Sequence, residues 1–259
     1  MEKKKGISGS TLKMIAIVTM LIDHIGAAVL ARLLMVNGLG ELDQTNTDAI
    51  MQWLSANGAL YGTYTVMRMI GRVAFPIFCF LLVEGFLHTH DVKKYAMRLG
   101  LFALLSEIPF DLAFSSKILE FNYQNVFFTL FIGLLTMIAY RAVEEKEEWN
   151  QALKVILYIL IVAAGMALAY FLKTDYAEKG VFCIMVLYIF RKKKMWQIIA
   201  GCASFIWETP ALLGFIPIAF YNGTRGWKMK YFFYIFYPAH LLILYLLCYF
   251  MGISGYSAV

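Results

Sequence analysis

The chain has 259 residues, of which 61% are hydrophobic and only 15% charged, where a soluble domain carries about 45–50% and about 25%. That much apolar surface cannot be hidden in one water-soluble core, and the net charge of +6 is distributed between apolar runs instead of being gathered on a polar helix or tail, which argues against a nucleic-acid partner. Unpaired backbone amides are too costly in hydrocarbon, so spanning elements must be helices or a closed barrel, and long continuous apolar runs select helices.

In chain order, the first apolar run follows Lys3, Lys4 and Lys5 and extends to about Val36. It has no small-residue cleavage site at a suitable place and is expected to be an uncleaved first span at about 11–36. Between Asn37 and Tyr64 there is no Lys or Arg. This short segment, about 37–65, is expected outside the membrane, with Thr47 to Ala56 as an interfacial helix and Trp53 at the headgroup level. Further spans are expected at about 66–87, 95–114, 124–141, 152–172, 177–190, 195–208, 210–222 and 231–252. The sixth to eighth are short and would be kinked, half-inserted or packed inside the bundle, with Pro210 and Pro217 as reasons. The predicted fold class is therefore all-α: a polytopic transmembrane helical bundle of about nine spans (8–10), forming a single integral membrane domain over 1–259.

Basic residues give this bundle a direction. One set of alternate loops holds Lys3, Lys4, Lys5, Lys13, Lys93, Lys94, Arg98, Arg141, Lys146, Lys154, the run Arg191 to Lys194, Arg225, Lys228 and Lys230. The other set holds only Lys117, Lys173 and Lys179. The asymmetry places the N-terminus in the cytoplasm and, with an odd number of spans, the C-terminus outside. The Arg191 to Lys194 run reads as a topogenic, lipid-contacting loop. Cys79, Cys183, Cys202 and Cys248 each lie inside apolar runs with no ligand spacing, and no phosphate loop, zinc-protease or serine-hydrolase motif is present. No metal is expected.

Charged groups inside spans are expensive and mark functional sites by default. Counting about 1.5 Å per residue puts His24 roughly 20 Å and Glu107 roughly 18 Å from the cytoplasmic ends of their helices. Asp23, His24, Arg72, Glu107 and Asp111 are thus expected to converge in the outer half of the membrane. A histidine held by a carboxylate can take a proton from an amine or hydroxyl, and a nearby arginine can stabilise developing oxyanion charge. A buried ion-pair network locking helices would use the same residues. Glu84 and His88 stand one turn apart before Asp91, Lys93, Lys94 and Arg98, either as a solvated helix end or as the mouth of a phosphate-binding cytoplasmic site. His240, just after Pro238, suits a hydrogen-bonded core position and a chemical role equally.

Several of these residues fall in stretches that resemble the TraX family, known from conjugal-transfer pilin acetylation. They are Leu12 to Gly26 with Asp23-His24, Ile70-Gly71-Arg72-Val73-Ala74-Phe75-Pro76, Glu84-Gly85-Phe86-Leu87-His88-Thr89, Ser106-Glu107-Ile108-Pro109-Phe110-Asp111, Tyr221-Asn222-Gly223-Thr224-Arg225-Gly226, and Tyr237-Pro238-Ala239-His240. The likeness covers nearly the whole chain. It implies a multi-pass protein of the cytoplasmic membrane that acetylates an acceptor amine with acetyl-CoA as donor, more distantly similar to multi-spanning acyltransferases. On that resemblance His24, Asp23, Arg72, Glu107 and Asp111 would be catalytic, with Asp23 orienting His24 as general base or transient acyl carrier. Glu84, His88, Arg98, Asn222, Arg225 and His240 would bind the donor. The partners expected are membrane lipids and an acyl acceptor, a protein or a small molecule. The competing expectation is a transporter or channel whose intramembrane charges form a proton or substrate relay, for which inverted repeats would be the sign.

Overall fold

The computed structural model describes residues 5–227 and 230–257. Lys3, Lys4 and Lys228 of the basic set lie outside the described residues. Helix accounts for every regular element among them, as the apolar runs predict, with only two isolated β-bridges, Ile7 with Tyr221 and Gln124 with Thr174.

The first helical stretch runs from Gly9 to Val36 as α1 (Gly9–Ile25), a π turn (Gly26–Leu30) and α2 (Ala31–Val36). Ser8 caps α1 by accepting from the Thr11 amide at 3.2 Å. The next amides of that end are served by a distant loop: Gly9 N donates to Thr224 O at 2.7 Å and Ser10 N to Arg225 O at 3.0 Å. The loop carries its own turn, in which Asn222 Oδ1 accepts from the amide and the hydroxyl of Thr224. Gly226, at φ +71°, sits against the hydroxyls of Ser8 and Ser10 where a Cβ would collide. The 221–226 segment is thus the cap that satisfies the orphan donors of α1.

The segment 37–65 is helical from Thr47, as expected for Thr47 to Ala56, but the helix does not stop there. Asn46 caps a helix, α3 (Thr47–Gly71), of 25 residues, followed after Arg72 and Val73 by α4 (Ala74–His88). Together Thr47–His88 make a 42-residue stretch, about 63 Å of helix against about 30 Å of hydrocarbon. The small and polar residues Asn57, Gly58, Gly62 and Thr63 give it low helix propensity. The C-terminal part of α3 lies along α1, with Gly26 against Met67 and Gly71 directly on Asp23, where a side chain at either would clash or crowd, while Gly58 and Gly62 face open space.

Then follow α5 (Val92–Ser115), α6 (Val126–Glu144), α7 (Gln151–Phe171), α8 (Ala177–Ile189) and α9 (Lys194–Ser204). After a 3-10 turn (Thr209–Gly214) come α10 (Phe215–Ala219) and α11 (Lys230–Phe250). Asp91 caps α5, and the Lys94 amide donating to it holds its carboxyl below the usual range. Helix is found in each of the nine predicted segments, but five stretches among the described residues are long and apolar enough to cross a membrane: Gly9–Val36, Thr47–His88, Val126–Glu144, Gln151–Phe171 and Phe232–Phe250. At 13 and 11 residues, α8 and α9 reach only about 20 and 16 Å. Of the two, α8 is a packed piece of the bundle, with Ile184, Leu187 and Tyr188 wholly buried, while α9 exposes Met195, Trp196 and Ile199.

One core surrounds α4, α6 and α8, and a second joins the π turn to α5 and α11 through Ala28, Ala113, Leu241 and Cys248. On the outside, α7 presents Ile156, Ile159 and Leu160, a face that needs lipid in place of water. Arg32, fully buried, ties the second core together. Its guanidinium donates to the carbonyls of Ala28 (2.9 Å), Ala113 (2.5 Å) and Tyr256 (2.8 Å) and to Ser116 Oγ (2.9 Å). It thereby closes the C-terminal end of α5. Arg32→Met is expected to leave these acceptors unsatisfied and cost about 3 kcal/mol, measured as a lowered midpoint of denaturant unfolding in detergent micelles.

Candidate functional site

Among the described residues, two chambers between the helices bring the polar groups together. The smaller, about 120 Å³, is polar, and is lined by Asp23 and His24 of α1, Tyr64 and Arg68 of α3, Arg72 at the α3–α4 break, Tyr123, Asp175, Tyr176 and Tyr237. The larger, about 630 Å³, opens where α1 and α11 begin and α4 ends, and is lined by Lys13, Glu84, His88, His90, Arg98, Arg225 and a set of aromatic and aliphatic groups. Met20, Phe78, Val126 and Tyr237 line both. They form the wall between them.

In the polar chamber, Arg68 Nη1 bonds Asp23 Oδ2 at 2.8 Å. The other oxygen, Asp23 Oδ1, is buried without a hydrogen-bond partner among the described residues. Arg72 reaches Tyr176 and lies 3.5 Å from Glu208. Tyr123 donates to Asp175 Oδ1 at 2.6 Å, and Thr129 donates to the Asp175 carbonyl. Lys173, Tyr176 and Ala177 all have positive φ (52°, 63° and 42°) without being glycine. Such strain persists only where surroundings over-determine it, and it collects at functional sites. The π turn directly after His24–Ile25 is another such feature.

His24 is held by a histidine, and not by the carboxylate beside it. Its Nδ1 lies 2.6 Å from His240 Nε2, with the two rings nearly coplanar. His240 Nδ1 in turn lies 2.7 Å from the Phe236 carbonyl. A carbonyl only accepts, so His240 Nδ1 carries the proton and its Nε2 is the acceptor. The bond to His24 then requires the proton on His24 Nδ1, which leaves His24 Nε2 with a free lone pair. Phe114 and Tyr237 pack edge-on against the His24 ring and fix it. The pairing brings together a histidine expected in the catalytic set and one expected to bind the donor.

Of the five residues expected to converge, Asp23, His24 and Arg72 line the polar chamber and Glu107 and Asp111 do not. Those two carboxylates hold the 116–125 loop. Glu107 Oε2 accepts from the side chain and backbone of Asn125, which caps α6, and Asp111 Oδ2 accepts from the Glu120 amide at 2.8 Å. Within the loop, the ion pair with Lys117 and the Asn122 amide hold the Glu120 carboxyl down at about 2. The loop so fixed delivers Tyr123 to Asp175. Asp23, expected to orient His24, is instead engaged by Arg68.

Of the six residues assigned to donor binding, Glu84, His88, Arg98 and Arg225 line the large chamber. Asn222 shapes the loop that carries Arg225, and His240 sits at His24. Glu84 is bonded to Tyr221 and Arg98 to Tyr234. Arg98 Nε has no partner among the described residues. With Lys13, Arg98 and Arg225 against Glu84, the chamber is cationic and suits a phosphorylated ligand. Sequence reasoning missed Tyr64, which it placed in the outside segment, Arg68, which it put within the second span without a role, and Asp175 and Tyr176, which lie in a connection with no motif. No group of metal-ligand residues occurs among the described residues.

These features can be set beside known proteins. No solved structure matches the chain. The chain is 26% identical over 269 residues to a protein of Dichelobacter nodosus described as "Probable fimbrial assembly protein FimC, serogroup H1", covering 94% of this chain and 97% of that one. A sequence profile described as "TraX protein" matches residues 8–248. That match takes in every chamber residue named above, and the chain belongs to the TraX family.

Proposed function

We propose that this chain is an integral-membrane acetyltransferase: acetyl-CoA occupies the large cationic chamber, and an amine or hydroxyl of the acceptor enters the polar chamber. The observation that carries this reading is the His24–His240 relay, which leaves a basic nitrogen beside the wall between the chambers. In the reaction the acceptor N or O attacks the thioester carbonyl carbon while its proton passes to His24 Nε2. The C–S bond then breaks, and the CoA thiolate leaves with that proton. His240 stabilises the imidazolium by accepting from Nδ1, and Arg72 supplies positive charge for the oxyanion. A transient acyl-His24 would use the same lone pair.

TraX membership supports acetyl transfer to a pilin at the level of the family, and the relative's description speaks of fimbrial assembly. The acceptor class proposed is therefore the exposed N-terminus of a pilin-like subunit or a small molecule of like chemistry. The basic loops support a cytoplasmic donor chamber and a polar chamber toward the outer half, in a multi-pass protein of the cytoplasmic membrane. To test this, the purified full chain in micelles is given acetyl-CoA labelled in the acetyl group, with glycinamide as amine probe. Chain-dependent release of CoA thiol with label on the probe is expected. No release, no transfer and no CoA binding would remove the enzyme reading.

A further inference from the structure

We propose that Met20, Phe78, Val126 and Tyr237 are the acyl-length filter of this transferase, an inference that rests on the acetyl-transfer reading and names which thioesters the site accepts. These four are the residues that line both chambers. His24 lines the polar chamber alone. A thioester held from the cationic side must therefore present its carbonyl carbon at this wall, with its alkyl tail going through it or beyond it.

The room beyond is small. An engineered cavity of about 150 Å³ takes up benzene, a six-carbon ring. The polar chamber, at about 120 Å³, holds less than that. An acetyl group and the reacting end of an amine already amount to about that many heavy atoms, so each further methylene has to displace wall or acceptor. The walls do not yield readily. Met20 and Tyr237 are buried. Met20 lies one turn before His24 on the same face of α1, and the Tyr237 ring is packed against both His24 and Phe127. Val126 is the first residue of α6, whose end is fixed by the Asn125 cap and Glu107. Overfilling such a site forces side chains off their rotamers and shifts backbone. Four side chains from four helices thus set the limit together.

The experiment measures CoA thiol release from acetyl-, butyryl- and hexanoyl-CoA with glycinamide as acceptor. The full-length parent is compared with Met20→Ala and Phe78→Leu, each first shown monodisperse and helical. The parent is expected to use acetyl-CoA at least tenfold faster than hexanoyl-CoA, and each variant to raise the hexanoyl-to-acetyl rate ratio at least fivefold. Val126→Ala carries the same expectation should either other change prevent folding. Equal use of all donors by the parent, or an unchanged ratio in variants that still turn over acetyl-CoA, overturns the filter and leaves the transferase standing. Absence of release from every donor by the parent defeats both.

Discussion

His24→Ala is expected to lower acetyl transfer by about 10²–10⁴-fold, the usual contribution of a positioned general base, with donor KM little changed because the ring lies outside the large chamber. His240→Ala is expected to cost about 10–100-fold, the scale on which partners that orient a reacting group act. It removes the acceptor that keeps the proton on His24 Nδ1. His240→Gln, whose amide oxygen can accept the same bond, is expected to retain more activity than His240→Ala. Equal loss in both substitutions would mean that the second histidine only fills space. Asp23→Asn separates the two neighbours: it breaks the ion pair with Arg68 and leaves the histidine relay intact.

The second large effect is expected in donor binding. Arg98 and Arg225 face the same chamber from α5 and from the loop capping α1. Charge-assisted hydrogen bonds to phosphate contribute about 1.5–3 kcal/mol, and each 1.4 kcal/mol is tenfold. Arg98→Ala and Arg225→Ala should each raise KM for acetyl-CoA by about 10–100-fold with kcat nearly unchanged. The Arg225 backbone, which serves the start of α1, is kept in the variant, so stability is expected to hold. A fall in kcat with KM constant would place these arginines in the fold and not in donor binding.

The apolar runs made the helical membrane fold legible, because hydrocarbon leaves the backbone little choice. Within α3 the helix from Thr47 was legible, but its continuation through Asn57, Gly58 and Gly62 was not, because those residues look like loop. Depth counted in residues correctly put Asp23, His24 and Arg72 together. It could not say which way a side chain faces, so Glu107 and Asp111, at similar depth, turn to Asn125 and Glu120 instead. His240 was assigned to donor binding with the family resemblance, because a sequence does not show which helix another packs against, and α11 brings this ring onto His24. Asp175 and Tyr176 carry no pattern at all, since their position depends on positive φ values in non-glycine residues. Loop charges indicated a donor side, and the cationic chamber lies among Lys13, Arg98 and Arg225 of that same basic set.

The central claim, that the donor is taken from one side of the wall and the acceptor from the other, is tested most directly in sealed vesicles. The full chain is reconstituted with acetyl-CoA trapped inside and a short, charged, membrane-impermeant peptide with a free N-terminus outside, and acetylated peptide is measured by mass. The account predicts product outside while all CoA remains within the lumen. Product formed only when donor and peptide share one compartment would contradict it.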